Sequence, residues 1–129
     1  MTTNGITLFL VENCSLILNR LQSSLKKFEG VKEIFTADSV ASTLELFKQH
    51  TPDFIFIDFH VDYGRGIELL KHVKQRYPGV MVVMLCNEDL HAYRDFCFSY
   101  GADGFFDKSI EVKQILELVK SICATQAAL

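Results

Sequence analysis

The chain has 129 residues, 49% of them apolar, and a net charge of −3 from 13 Lys and Arg against 16 Asp and Glu. That is one ordinary domain with enough apolar content for a core, and no apolar run approaches the ~18 residues of a membrane helix. Met1-Thr2-Thr3-Asn4-Gly5 lacks the pattern of a secretory leader, and no basic cluster offers to neutralise nucleic-acid phosphates, so a cytoplasmic protein without membrane or direct nucleic-acid contacts is expected.

Apolar runs and helical periods alternate along the whole chain. Residues 6–11 read as a first strand and 15–28 as a first helix, then 31–36 and 39–50, 54–58 and 66–76, 80–86 and 89–100, and 104–106 and 111–123. Within the helices apolar residues recur at helical spacing, as in Val40, Leu44 and Phe47, or Ile67, Leu70 and Val73, or Ile115, Leu118 and Ile122. Gly30, Pro52, Pro78-Gly79 and Gly101 punctuate the joins. A single domain over 1–129 follows, with 1–5 as a flexible N-terminus and 124–129 as a tail or the start of a linker.

Strict alternation implies right-handed crossovers and a parallel sheet with helices on both faces. The first, third and fourth strands are almost wholly apolar and belong at the centre. The second, with Lys32 and Glu33, and the short fifth belong at the edges. The class is therefore α/β, a doubly wound five-stranded sheet in the order 2-1-3-4-5, with its crevice between strands one and three.

Three polar positions stand at the carboxyl ends of strands, where such sheets do their chemistry. Asp58 closes Phe54-Ile55-Phe56-Ile57, Glu12-Asn13 follows the first strand, and Lys108 follows Gly104-Phe105-Phe106-Asp107. Together they suggest a charged pocket; an Asp at this place also serves as an ordinary loop cap. Cys14, Cys86, Cys97 and Cys123 form no Cys-x-x-Cys pair, which argues against a zinc or disulfide framework. His60, His72 and His91 have no second histidine at metal-site spacing and read as surface residues. The fourth helix carries Tyr93, Phe96, Phe98 and Tyr100. One core stripe does not hold all four, so one or two are expected at the surface, with Phe96 and one neighbour packed inward.

Four stretches in this order carry a resemblance: Leu8-Phe9-Leu10-Val11-Glu12-Asn13, Phe54-Ile55-Phe56-Ile57-Asp58, Gly66-Ile67-Glu68-Leu69-Leu70, and Gly101-Ala102-Asp103-Gly104-Phe105-Phe106-Asp107-Lys108. Over essentially its full length the chain resembles the receiver domain of two-component response regulators, a flavodoxin-like fold. The resemblance implies that Asp58 accepts a phosphoryl group from a histidine kinase or phosphotransfer protein, with Lys108 contacting phosphate and carboxylate. It implies Mg²⁺ held by Glu12, Asn13, Asp58 and the backbone carbonyl of His60, and no organic cofactor. It places Cys86 at the Ser/Thr switch position and Phe105 at the aromatic switch position.

The chain departs from that pattern around the site. Asn13 stands where a carboxylate is usual, so the divalent ion is expected to bind more weakly. Cys86 replaces a hydroxyl with a weak donor, Asn87 replaces a small residue, Phe105 lacks the hydroxyl of tyrosine, and Asp62 and Ser109 replace prolines. Two functions are therefore expected in competition. One is a phosphorylatable, non-enzymatic receiver signalling through the face of helix 4, strand 5 and helix 5 to an effector domain or partner. The other is a phosphorylation-independent docking or homodimerisation module. A phosphatase or flavodoxin-type enzyme fits poorly, since Asp58-Phe59-His60 lacks a second acid and no Ser/Thr-rich loop follows the first strand.

Overall fold

The computed structural model describes residues 5–87, 91–107 and 112–128. Five parallel strands, β1 Ile6–Val11, β2 Val31–Ala37, β3 Phe54–Asp58, β4 Met81–Cys86 and β5 Gly104–Asp107, form one sheet in the order β2-β1-β3-β4-β5. Five helices connect or follow them: α1 Ser15–Leu25, α2 Val40–Gln49, α3 Gly66–Arg76, α4 His91–Ser99 and α5 Val112–Ala128. Sheet class and strand order are those expected from the polarity of the strands.

The alternation of side chains along β3 shows why its run is continuously apolar. Ile55 and Ile57 enter one core with Phe9, Phe47, Leu70, Val73 and Cys97, from the strands and from α2, α3 and α4. Phe54 and Phe56 enter the opposite core with Leu8, Leu10, Leu21, Leu25, Ile115 and Val119, beneath α1 and α5. A strand covered on both faces has no polar side to show. β2, the edge beside β1, is exposed at Lys32, Glu33 and Thr36.

The Gly-Ala-Asp-Gly run has a structural use at the end of the sheet away from Asp58. Gly101, at φ +99°, turns the chain out of α4, and Ala102 is buried. Asp103 Oδ2 accepts the N–H of Val82 at 2.9 Å and pairs with Lys74 Nζ at 2.8 Å, while Lys74 also donates to Val80 O at 2.8 Å. Three segments, α3, β4 and the entry to β5, are thereby tied together.

Two differences from the expected elements have local causes. α1 ends at Leu25 rather than 28, because after Lys26 N–H, the last to bond four residues back, Lys27 N–H and Phe28 N–H close tighter turns on Ser24 O and Leu25 O. α5 runs on to Ala128 through the stretch expected as a tail, where Ala124, Ala127 and Ala128 favour helix. A Cβ on Gly5 would lie 2.6 Å from Lys32 Cβ, so the chain passes close beside β2 as β1 begins, and residues 1–4 lie outside the described residues. Among the described residues no helix is long and apolar enough to cross a membrane.

Candidate functional site

β1 and β3 pair in parallel up to Val11 and Ile57, so their next residues, Glu12 and Asp58, lie side by side at the carboxyl edge. This is the switch point of the sheet, where α1 leaves toward one face and the β3–α3 loop toward the other. Both carboxylates are almost wholly buried, Glu12 at 2% and Asp58 at 1% exposure. Each accepts a backbone N–H from its own loop: Glu12 Oε2 takes Cys14 N–H at 3.1 Å, and Asp58 Oδ1 takes His60 N–H at 3.1 Å. The loop-capping use of Asp58 is therefore present, in a carboxylate that also stands beside a second acid.

Gly66 explains its own place eight residues beyond Asp58. A Cβ there would lie 2.6 Å from Asp58 O and 2.8 Å from Phe59 O, so only glycine lets α3 begin directly against the acid's own backbone. The intervening turn, Val61–Gly64, is left-handed at three successive residues: Asp62 at φ 49°, Tyr63 at φ 59° and Gly64 at φ 100°. Proline is locked near φ −65° and does not fit at Asp62. Instead the Asp62 carboxylate crosses to α2 and accepts Val40 N–H at 2.8 Å, beside the Ser39–Ser42 capping box.

The remaining expected residues are distributed unevenly. Asn13 is exposed just beyond Glu12. His60 is exposed, and its carbonyl, expected as a metal ligand, already accepts Gly64 N–H at 3.3 Å. Cys86 is buried, and its thiol donates to Phe106 O at 3.7 Å, a weak bond to the neighbouring strand. Phe105 is buried, with the Arg94 guanidinium 5.3 Å from its ring centroid. Asn87 is exposed after β4. Lys108 and Ser109 lie outside the described residues, as does the side chain of His91. His72 is half-buried on α3, where it helps line a groove of about 170 Å³ with Val40 and Leu44 of α2.

One acid was not singled out by the sequence reading. Asp107 pairs in register with Cys86 and is 9% exposed, a third buried carboxylate at the same edge. Its signal was available in the polar residue ending the apolar pair Phe105-Phe106. Among the described residues no three His, Cys, Asp or Glu side chains cluster so as to hold a metal.

α4 departs from expectation. Tyr93, Phe96, Phe98 and Tyr100 are all exposed, by 46%, 44%, 42% and 40%. The inward stripe is taken by Cys97, fully buried, and Arg94, half-buried over Phe105. Phe96 is thus not packed inward. Cys97 takes the core-facing position on the helix, and the large rings stand on its flanks.

The chain is similar to the transcriptional regulatory protein MctR of Rhizobium johnstonii, at 25% identity over 91% of this chain and 55% of that protein. It spans about half the length of the curated relatives it matches. Among solved structures it is similar to a CheY-like receiver domain protein from Methanospirillum hungatei, with TM-score 0.81 and 22% identity over 96% of this chain and 98% of that one. The phosphorylated cyanobacterial phytochrome response regulator RcpA gives TM-score 0.76 and 20% identity over 92% and 91% of the two chains. The family model of the response regulator receiver domain matches residues 8–120. A match that begins within β1 and ends within α5 takes in the whole sheet and its switch point, and the chain belongs to the response regulator receiver domain family.

Proposed function

We propose that Asp58 is the phosphoacceptor of this receiver and that a histidine kinase or phosphotransfer protein in the cytoplasm is its donor. The observation that carries this reading is the buried pair of carboxylates, Asp58 beside Glu12, at the switch point of the sheet. An Asp58 carboxylate oxygen attacks the phosphorus of a phosphohistidine; the P–O bond forms as the P–N bond breaks, and the imidazole nitrogen leaves with the electron pair. The His60 N–H on Oδ1 holds the carboxylate in one orientation. Lys108, which follows Asp107 at the end of β5, supplies a cation for the transferred group.

The donor set suits a hard divalent cation in kind. Glu12, Asp58, the Asn13 amide and the His60 carbonyl offer oxygens alone, as Mg²⁺ requires, and two adjacent buried carboxylates are relieved by a shared cation. It is lean in charge, since Asn13 is neutral and the His60 carbonyl already accepts one hydrogen bond. Mg²⁺, when bound, would neutralise charge on the transferring phosphoryl group. The domain serves as a signalling acceptor rather than an enzyme. It acts on an effector domain or a partner protein through α4, β5 and α5.

Incubation with acetyl phosphate and intact-mass measurement tests the assignment. A gain of one phosphoryl group, stable in acid and labile in alkali, is expected in the wild type and absent from Asp58→Asn. Labelling that persists in the variant overturns it. A second reading, a docking module that works without phosphorylation, is favoured by the weak Cys86 thiol donor and by the aromatic surface of α4. No labelling under any donor and metal concentration selects that reading.

A further inference from the structure

The flank of α4 that faces α3 is aromatic and accessible. Tyr93 and Phe96, three residues apart, share one side of α4, and Tyr100, just past its end, lays its ring against Phe96, while Phe98 falls on the opposite flank. The rings of Phe96 and Tyr100 meet edge to face at 4.9 Å. Lys71 of α3 reaches across the seam, its Nζ 4.1 Å from the centroid of Tyr100 and 6.0 Å from that of Phe96. Tyr93 meets Phe59, the residue after Asp58, at 5.1 Å.

The seam therefore joins exposed rings to a cation held over them, in a chain whose net charge is −3. Large aromatic groups with a fixed cation have the composition of an interface centre rather than of an ordinary solvated helix. Exposed rings beside a cation are the kind of surface that the apolar stripe and flanking charge of an amphipathic helix recognise.

We propose that the α3–α4 seam docks an amphipathic helical segment of a partner protein, which lays apolar side chains over Phe96 and Tyr100 and offers a carboxylate to Lys71. Charge selects this occupant over a second copy of the chain: an isologous pairing through the seam brings one Lys71 toward the other. The surface is present in the unmodified protein, so this docking does not require phosphoryl transfer to Asp58, and it uses the α3 side of α4 rather than the α4–β5–α5 face.

The test uses the full chain and two synthetic amphipathic helical peptides with the same apolar stripe, one flanked by Glu and the other by Lys. Fluorescence anisotropy of labelled peptide gives affinity, and amide chemical shifts give location. The Glu peptide is expected to bind about tenfold more tightly than the Lys peptide, with shifts centred on Lys71, Tyr93, Phe96 and Tyr100. Phe96→Ser is expected to weaken it by about tenfold, and Lys71→Glu to reverse the preference between peptides. Phe96 is exposed, so circular dichroism and thermal melting should match the wild type, and Lys71→Glu tests the same surface without removing a ring. Equal affinities, shifts centred on another face, or no binding overturn the proposal. So does a concentration-dependent dimer that Phe96→Ser abolishes, which would make the second copy the occupant.

Discussion

Asn13 leaves the edge of the sheet one charge short of an acidic pair beside Asp58, and its exposure means that a carboxylate substituted there needs no repacking. A divalent ion near an added charge gains Coulomb energy that solvent strongly reduces. Asn13→Asp is expected to tighten Mg²⁺ binding by about tenfold, on the order of 1.4 kcal/mol, by NMR titration; equal affinities would remove charge as the limiting factor. Cys97 makes a different residue-scale case. Burial first, and the neighbouring Cys86 second, push its thiol up from 9.0 to about 11. The folded state therefore favours the protonated thiol. Its contribution is fully present below pH 9, where the unfolded thiol is also protonated, and is lost as pH rises through about 11. Urea unfolding should lose stability over that window more steeply in the wild type than in Cys97→Ala. Parallel pH profiles would show that other groups set the alkaline limit.

At the scale of elements, the β3–α3 turn is where the backbone works hardest. Asp62 and Tyr63 occupy the left-handed region, which costs a residue with a Cβ roughly 1–2 kcal/mol. Tyr63 is fully exposed, so its side chain returns little packing. Tyr63→Gly is accordingly expected to stabilise the fold by about 1 kcal/mol in urea denaturation, and a destabilised variant would mean that the ring makes a contact worth more than the strain. Asp62 differs because its carboxylate caps α2 at Val40; Asp62→Ala should cost about 1 kcal/mol. The turn was not legible in the sequence, since neither Asp62 nor Tyr63 signals a positive φ as glycine does, and the cap reaches across 22 residues. The strands and helices were legible because burial on two faces leaves continuous apolar runs and one-face burial leaves helical periods. The aromatic helix was misread for a related reason. Periodicity shows that α4 has faces but not which of them the sheet accepts, and here Cys97 and Arg94 decided it.

Across the whole molecule, the site follows from topology: the order β2-β1-β3-β4-β5 brings the ends of β1 and β3 together before any side-chain geometry is considered. What topology leaves open is how strongly an event at Asp58 reaches α4. Among the described residues, two contacts run that way. Phe59 carries the loop to Tyr93, and Cys86 joins the end of β4 to Phe106 of β5 through its thiol. The second is weak, because a thiol is a poor donor, and a ligand shifts a conformational equilibrium only by its differential affinity for the two states. Threonine at position 86 would supply a hydroxyl able to bond either Phe106 O or a phosphoryl oxygen, and so would make the two states differ more in energy. Cys86→Thr in an Asn13→Asp background is therefore expected to enlarge the amide shift changes that a phosphoryl analogue such as beryllofluoride produces along α4 and β5, relative to Asn13→Asp alone. The background matters because it strengthens binding of the metal, so that a difference reports on coupling. If both proteins bind the analogue equally and their shifts on α4 and β5 are the same, position 86 does not limit the coupling.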